Sequence, residues 1–244
     1  DCNADGQGYN PNLTIGAISL FGHGHLIKDC RARGFRAGRL RELFTLYASY
    51  DKPGGDPNRI INSACLDVAD NDGITYPGRY IPEVTCFLVN SIDTPCEIRN
   101  CTARDMNTVK GTMNAPIHVF SFGGHGTVIT GNTVENVNGA AVFLNAPRNV
   151  RNANIAGNIF TNVGQAFWVS DIAGGDFDRI VFRGNRGSIG NTNFGRMLRI
   201  TSNVPGAPIG TVTCEDNHFT VSSAGITGIG YFCSIYHNAN TVLG

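Results

Sequence analysis

Charged side chains are scarce in this sequence. Only 16% of its 244 residues are Asp, Glu, Lys or Arg, and 19 basic side chains balance 19 acidic ones. A soluble domain ordinarily carries about 25%, and nucleic-acid binding ordinarily requires a basic excess that is absent here. Apolar runs are also short, since none approaches the roughly 18 residues of a membrane-spanning helix. We therefore expect neither a nucleic-acid partner nor a membrane.

Cysteine occurs eight times, which is too few for a small disulfide scaffold in a chain of this length. Its spacing does not indicate a zinc site, because Cys96 and Cys101 have no second Cys or His pair at a ligand spacing. Helical periodicity is nearly absent, with residues 31–46 as the one plausible exception. Glycine (31) and asparagine (26) are abundant, and both favour turns and left-handed backbone conformations. This composition argues against a helical protein.

A short motif recurs along the whole sequence. Its clearest copies are residues 128–132 (VITGN) and 154–158 (NIAGN), and the interval between copies varies from 26 to 36 residues. A motif that persists while the repeat length varies is typical of a solenoid with variable loops. One column of the alignment contains Cys2, Cys30, Cys65, Cys101, Asn132, Asn158, Asn185 and Asn217.

A second short apolar segment precedes most copies of the motif. Each such segment is too short for a helix, partly β-branched or aromatic, and bounded by Gly, Asn, Pro or Ser. Two or three strands in each repeat of about 30 residues predict a solenoid of parallel strands. The predicted strands are Ile18–Phe21, Phe44–Tyr47, Phe87–Val89, Ile117–Phe122, Ala141–Leu144, Phe167–Val169, Leu198–Ile200 and Tyr231–Ile235.

Residues 128–137 (VITGNTVENV) and 154–163 (NIAGNIFTNV) resemble the repeats of the pectate-lyase-like superfamily, and the resemblance covers essentially the whole chain. It implies an all-β fold, a right-handed parallel β-helix of about eight rungs, as a single domain over residues 1–244. It also implies a stack of Asn side chains at a tight turn. A buried Asn amide can bond both its own turn and the next Asn along the axis.

The cysteines of the column are expected to be free thiols. Neighbouring strands lie about 4.8 Å apart, whereas bridged Cβ atoms lie about 3.8 Å apart. A thiol fills the Asn position as a small apolar group. Among the off-column cysteines, Cys86 and Cys96 form the one local pair that we consider.

The two ends of the sequence start and finish within the repeat. Solenoids need polar caps for solubility, and no capping helix or basic-then-apolar leader is present. We expect a fragment of a longer chain, or ends that a partner or sister subunit covers. Any signal peptide is expected to be absent or already removed.

Side chains alternate along a strand, and in the resembled superfamily acidic polysaccharides lie along the outward residues of one strand stack. This rule predicts that His118, Phe120, Trp168 and Arg199 point outward on neighbouring rungs, with Tyr47 further along. Aromatic rings stack on a pyranose and Arg holds a carboxylate, so Trp168, Phe120 and Tyr47 are predicted to bind substrate. We assign His118 as the general base and Arg199 as the carboxylate-neutralising catalytic group. The alternative is a core Trp168, a surface His118 and a solvated Arg199.

Two irregular segments add further candidates, because long loops on a rigid scaffold often carry binding residues. Residues 76–82 bring Tyr76, Arg79 and Tyr80, which could wall a sugar groove. Asp67, Asp70 and Asp72 concentrate the oxygen ligands that Ca²⁺ prefers. A turn without metal is the favoured interpretation of these three residues, and Ca²⁺ is the one cofactor considered.

Fragments of the polygalacturonase pattern also occur. Gly-His-Gly is found at residues 22–24 and 124–126, but there is no Asp-Asp pair anywhere in the sequence. Inverting hydrolysis requires two spaced carboxyl groups, so Gly-His-Gly is better explained as a turn in which Gly supplies a positive φ.

The sequence therefore predicts a carbohydrate-active protein that binds, and cleaves or modifies, an extracellular uronate-bearing polysaccharide. Whether it is an enzyme stays open; if so, a polysaccharide lyase is favoured over an epimerase or a glycoside hydrolase. The alternative is a non-catalytic glycan-binding or structural shaft, such as a segment of a phage tailspike or surface adhesin. A monomer suits the enzyme and a homotrimer suits the tailspike, and either is expected to be secreted or on a cell or virion surface.

Overall fold

The fold is known from a computed structural model of the chain. It describes residues 2–5, 16–35, 41–48, 55–70, 84–91, 95–108, 117–145, 150–170, 177–190, 195–202, 210–221 and 231–237. Within these ranges the protein is all-β and contains no helix. The described ranges accordingly contain no helix with the length and hydropathy needed to cross a membrane.

The strands, numbered in chain order, are β1 (Cys2–Asp5), β2 (Ile18–Phe21), β3 (Leu26–Lys28), β4 (Cys30–Arg33), β5 (Arg41–Ala48), β6 (Asn58–Ile61), β7 (Ala64–Asp70), β8 (Val84–Ser91), β9 (Cys96–Arg99), β10 (Thr102–Thr108), β11 (Ile117–Gly123), β12 (Val128–Thr130), β13 (Thr133–Asn145), β14 (Val150–Arg151), β15 (Asn154–Ala156), β16 (Ile159–Ser170), β17 (Phe177–Asp178), β18 (Ile180–Arg183), β19 (Arg186–Ile189), β20 (Arg196–Ser202), β21 (Val212–Glu215), β22 (His218–Val221) and β23 (Tyr231–His237).

Parallel pairing between successive repeats organises all of these strands. One large sheet follows the order β1-β4-β7-β10-β13-β11-β8-β5-β2 and is extended through β16 to β19, β20, β22 and β23. A second sheet has the order β21-β18-β15-β12-β9-β6-β3, and β14 pairs with β17. The sheets curl into a half-barrel. The eight predicted apolar strands are confirmed as β2, β5, β8, β11, β13, β16, β20 and β23.

The expected helical exception at residues 31–46 is wrong where the structure describes it. Residues 30–33 form β4 and residues 41–48 form β5, each in parallel register with β7 and β8 respectively. Pairing between repeats thus determines the conformation of this segment, and its weak helical periodicity does not.

The Asn column is confirmed as a hydrogen-bonded ladder. Asn158 Oδ1 accepts from the Asn132 backbone amide (3.0 Å) and from Asn132 Nδ2 (2.9 Å). Asn158 Nδ2 donates to the Ile129 carbonyl (3.0 Å) and to Asn185 Oδ1 (2.8 Å). The same pattern continues to Asn217. Each Asn side chain therefore satisfies backbone groups at the turn of the preceding repeat and joins its own repeat to the next.

One member of the predicted column is wrong. Cys65 pairs with Ala32, and Thr102 pairs with Ala64, so Ser63 occupies the turn position between Cys30 and Cys101. Ser63 Oγ accepts from the Cys30 backbone amide (3.3 Å), as the Asn side chains do further along. Cys65 lies two residues later, on the same inward face, which is why residue type alone could not separate the two positions.

Left-handed residues form the corners between strands, which explains the abundance of Gly and Asn. Gly24 (φ 70°) and Gly126 (φ 65°) adopt this conformation in the two Gly-His-Gly segments, which confirms the interpretation of these segments as turns. Among the described residues, those other than glycine with positive φ are Asp29, Asn62, Asp67, Asn100, Asp105, Asn136, Asn152, Asn162, Arg179 and Asp216.

Stacked apolar side chains fill the interior. Phe87 lies between Phe44 and Phe120, with ring centroids 5.6 and 5.4 Å apart. Facing these rings, the second sheet contributes a column of Ile side chains followed by Phe182. Such columns arise because parallel in-register pairing places equivalent residues of successive repeats on the same face.

The buried thiols confirm the expectation that stacked cysteines are not bridged. Cys30 and Cys101 of the column are buried and not bridged, as are Cys65, Cys86 and Cys96, and Cys86 Sγ lies 3.1 Å from Met106 Sδ. The considered pair Cys86–Cys96 is therefore not formed. Burial raises the pKa of Cys101 to about 12 and raises that of Cys65 well above its ordinary value.

Candidate functional site

The candidate site lies at a corner in the large sheet, where β16 and β20 each place two consecutive residues inward. In β20 these residues are Met197 and Leu198, each 6% exposed. Two inward residues in succession leave Arg196 and Arg199 on the outer face, one on each side of the corner. The half-buried Arg199 thus confirms the prediction that it points outward beside inward Leu198 and Ile200.

Trp168 and Arg199 form the centre of the site. They are register partners on β16 and β20, and the Arg199 guanidinium carbon lies 4.3 Å from the centroid of the indole. On the other side of Trp168, its register partner Phe143 packs at a centroid distance of 4.9 Å with the rings tilted by 55°. Three adjacent strands therefore place two aromatic rings and one guanidinium side by side outside the core, with Phe143 buried (2% exposed) and Trp168 and Arg199 half-buried. We call Phe143, Trp168 and Arg199 the outer aromatic cluster.

The electrostatics of the site follow from two neighbouring cations. Burial lowers the pKa of Arg199 below its ordinary value, and the charge of Arg196 lowers it further. The half-buried indole under Arg199 adds a cation–π interaction, which is stronger where the cation is partly desolvated.

Gln165 completes this corner. It pairs in register with Arg196 on one side and with Ala140 on the other, and its side chain is only 7% exposed. Within the part of the chain that the structure describes, Gln165 Oε1 is buried and accepts no hydrogen bond. A buried carbonyl without a donor costs about 1–3 kcal/mol. A ligand group that donated a hydrogen bond to Gln165 Oε1 would remove this cost.

The structure does not bring His118 to this cluster. His118 pairs with Ala140 on β13, which pairs with Gln165 on β16, which pairs with Arg196 on β20. Three strand spacings separate His118 from β20, or about 14 Å. The expectation that His118, Trp168 and Arg199 lie on neighbouring rungs is therefore confirmed for Trp168 and Arg199 and wrong for His118.

The predicted orientation of Phe120 is also wrong. Its side chain is fully buried and stacks on Phe87 in the interior. The adjacent Val119 is fully buried too, because the corner places both residues inward and interrupts strict alternation. Phe120 thus belongs to the core, where it cannot contact a polysaccharide.

The remaining predicted residues are placed only in part. Tyr47 lies on β5 in register with Phe21 and Asn90, four strand spacings from β16 and with no side-chain description. Tyr76, Arg79, Tyr80 and Asp72 lie outside the described residues.

Of the three proposed calcium ligands, the structure describes the side chain of Asp67 alone, so the calcium site stays a prediction. Asp67 has a left-handed backbone (φ 54°) within β7 and lies in register with Asp105, while Asp70 ends the strand. Asp105 Oδ1 accepts from Asn136 Nδ2 (3.0 Å), so this column is a second polar ladder at a bend. The described ranges contain no group of three metal-ligating side chains.

Three residues of the site were missed from the sequence: Phe143, Gln165 and Arg196. Phe143 lies in a predicted strand between apolar residues that point inward, so the alternation rule could have found it. Gln165 and Arg196 could not be found in this way. Two consecutive inward residues separate Gln165 from Trp168 and Arg196 from Arg199, so strict alternation would wrongly place Gln165 and Arg196 on the inner face.

The comparisons with known proteins give no family for this chain. Nothing matches it among protein-family models, curated proteins or solved structures. The function must therefore be argued from the site.

Proposed function

We propose that this chain is a right-handed parallel β-helix of about eight rungs, of the pectate-lyase-like type, that binds an extracellular uronate-bearing polysaccharide on its outer face. The protein would act in secreted form or on a cell or virion surface. The single observation that carries the proposed binding is the stacking of Arg199 over Trp168 at 4.3 Å on the outer face.

The proposed β-helix is supported by the order of the strands. The parallel pairs connect equivalent strands of successive repeats, and the corrected ladder supplies eight stacked turn positions. These positions are Cys2, Cys30, Ser63, Cys101, Asn132, Asn158, Asn185 and Asn217.

Binding of an acidic sugar is supported by the chemistry of the outer aromatic cluster. Because Arg199 lies over the indole and Phe143 packs on its other side, a pyranose would contact the remaining exposed edge of Trp168. A guanidinium held over that indole reaches the carboxylate of the same sugar in a bidentate geometry that Lys does not offer. A guanidinium forms charge-assisted hydrogen bonds with a carboxylate, so Arg199 favours an anionic sugar over a neutral one.

Enzymatic cleavage or modification of the bound polysaccharide has less support than binding. A lyase or epimerase needs a base beside the carboxylate-binding Arg, and His118 is three strand spacings from β20. This distance favours the second candidate function, a non-catalytic glycan-binding shaft of the tailspike or adhesin type. Cleavage by β-elimination, the favoured enzymatic reaction, would need a base other than His118 near Arg199.

A polysaccharide panel tests the proposal and separates the two candidates. Polygalacturonate, alginate, hyaluronate and neutral dextran are titrated calorimetrically, and each mixture is assayed for unsaturated ends and new reducing ends, with and without Ca²⁺. We expect an acidic polymer to bind and dextran not to bind. Unsaturated ends would identify a lyase, whereas binding without new ends, together with a trimeric mass in solution, would identify the shaft.

Variants locate the binding. Trp168→Ala is expected to weaken binding at least about tenfold, equivalent to about 1.4 kcal/mol, since it removes both the aromatic contact with the sugar and the cation–π interaction that holds Arg199 in place. Arg183→Gln is the charge control, because Arg183 is exposed on β18 in the other sheet. Equal affinities of Trp168→Ala and the unmodified protein would refute the proposed site.

A further inference from the structure

The corner between β9 and β10 carries a sequence with a chemistry of its own. Asn100, Cys101 and Thr102 form an Asn-x-Thr triplet whose middle residue is not Pro, which is the acceptor sequence for N-linked glycosylation. Of the 26 Asn residues in the chain, only Asn12 and Asn100 begin such a triplet, and Asn12 lies outside the described residues. Asn100 is therefore the acceptor candidate whose surroundings the structure describes.

The strand geometry places the two defining residues of the triplet outside and the middle one inside. Asn100 is exposed, Thr102 is half-buried on the outer face of β10, and Cys101 is only 1% exposed. Cys101 Sγ points inward, 3.6 Å from the Ile60 carbonyl and 3.4 Å from the Arg99 carbonyl, and it is not bridged. The buried residue is thus the one whose identity the acceptor sequence leaves open.

The corner also has room for a sugar on Asn100. The backbone of Asn100 is left-handed (φ 54°), and its Oδ1 lies 2.7 Å from the position that a Cβ at Gly131 would occupy. Gly131 stands at the same corner in the next repeat, because Thr130 pairs in register with Arg99. One repeat further, a Cβ at Gly157 would meet nothing within 4 Å. A sugar attached to Asn100 would therefore extend over open space without displacing a neighbouring side chain.

We propose that Asn100 is an acceptor site for N-linked glycosylation. The donor is a lipid-diphosphate-linked oligosaccharide, and the catalyst is an oligosaccharyltransferase of a secretory pathway. A bond forms between Asn100 Nδ2 and C1 of the first sugar, and Nδ2 gives up one proton to a base of the transferase. The bond from C1 to the diphosphate oxygen breaks, and the lipid diphosphate leaves with its electron pair. This inference goes beyond the proposed function and rests only on its secretory route.

The test is expression of the full chain behind a leader peptide in a eukaryotic cell line, followed by glycopeptide mass spectrometry. Chains from the secretory lumen and from the medium are both analysed, so retention in the cell does not prevent the measurement. We expect the peptide that contains Asn100 to carry an N-glycan, and peptide-N-glycosidase to remove this glycan and convert Asn100 to Asp. An Asn100 peptide without glycan in both fractions, or a glycan on Asn12 alone, would overturn the proposal.

Variants show whether modification depends on the acceptor triplet. Thr102→Val removes the hydroxyl and keeps the β-branched shape, so it should abolish the glycan on Asn100, whereas Thr102→Ser should retain it. Asn100→Asp should abolish the glycan with a residue that tolerates the left-handed backbone. The matched control is Asn62→Asp, because Asn62 is also exposed and left-handed (φ 53°) at the corner one repeat earlier but has Ala64 in place of Thr. This control should leave the occupancy of Asn100 unchanged, and a glycan that persisted on Asn100 in Thr102→Val would contradict the assignment.

The failures of the two proposals are distinguishable. The corner at Asn100 lies between β9 and β10, whereas the outer aromatic cluster lies on β13, β16 and β20. Enzymatic removal of the glycan should therefore leave the affinity for polygalacturonate unchanged. If Asn100 stays unmodified while polygalacturonate binding depends on Trp168, the glycosylation site is overturned and the proposed function stands. If Asn100 carries a glycan and no acidic polysaccharide binds, the proposed function is overturned and the glycosylation site stands.

Discussion

At the scale of single residues, Asn158 shows how one side chain serves two repeats. It is fully buried, and its amide makes hydrogen bonds to the preceding and the following Asn as well as to backbone groups. Buried polar groups are stable only when they are hydrogen-bonded. The stability of stacked parallel strands with a polar column in their interior therefore depends on an unbroken chain of hydrogen bonds along that column.

The first prediction tests this dependence. Asn158→Ala removes four buried side-chain hydrogen bonds and leaves the Asn132 backbone amide without its acceptor, and we expect a loss of roughly 3 kcal/mol or more in the free energy of unfolding. The control is Asn154→Ala four residues earlier, because Asn154 Oδ1 accepts no hydrogen bond within the described ranges. The control should change stability by no more than about 0.5 kcal/mol. Equal effects in a urea titration would contradict the ladder.

A second residue-scale prediction follows from the buried thiol of Cys101. Its folded pKa of about 12 exceeds the ordinary 9.0, because burial penalises the thiolate. The stability contribution is fully present below pH 9.0 and is lost as the pH rises towards 12, since only the unfolded chain ionises in this window. The expected slope is about 1.4 kcal/mol per pH unit for this thiol.

Denaturant titrations between pH 8 and pH 12 measure this slope. In Cys101→Ala the free energy of unfolding should decline with pH less steeply, by the contribution of one thiol, about 1.4 kcal/mol per pH unit. In Cys214→Ala the decline should match that of the unmodified protein, because Cys214 is exposed. Parallel curves for all three proteins would show that Cys101 ionises alike in both states.

The turn column was largely predictable from residue type, and its one error has a geometric cause. Asn132, Asn158, Asn185 and Asn217 repeat with the same neighbours, so the sequence locates them. Cys65 was taken for the turn residue that is in fact Ser63, because both point inward and lie two residues apart. Only the backbone register distinguishes two positions on the same face.

At the scale of elements, the strands were predictable and the corners within them were not. Short apolar segments between Gly and Asn identify β2, β5, β8, β11, β13, β16, β20 and β23. Strict alternation then fails at the corner of the long strands, where Val119 and Phe120 are both buried. The same corner brings Arg196 and Gln165 to the site, so both the wrong orientation of Phe120 and the missed residues have one cause.

The third prediction concerns the stacked rings that hold these elements together. Phe87 is fully buried between Phe44 and Phe120, so Phe87→Ala should cost about 3–5 kcal/mol through the cavity that it leaves. The matched control is Phe21→Ala on β2, since Phe21 is 70% exposed and should cost no more than about 0.5 kcal/mol. A similar fall in melting temperature for both variants would contradict the interior placement of Phe87.

At the scale of the whole molecule, parallel register converts a sequence repeat into columns of side chains, inside and outside. The inner columns are Asn, Ile and Phe, which repeat in the sequence and are therefore visible in it. The outer cluster of Phe143, Trp168 and Arg199 contains three different residue types on three neighbouring strands. Outward residues that do not repeat are the ones that can give a repetitive scaffold a specific binding surface. Because they do not repeat, the sequence repeat does not identify them.

The measurement that tests the central claim most directly is the fluorescence of Trp168, the only tryptophan in the chain. Polygalacturonate should produce a saturable change in its emission, since a bound pyranose would replace water at the half-buried indole. Dextran should produce no change, and Arg199→Gln should weaken the polygalacturonate response about tenfold or more, as expected for a charge-assisted contact. Calorimetric binding of polygalacturonate without any change in Trp168 emission, or an equal response to dextran, would contradict an acidic-glycan site at the outer aromatic cluster.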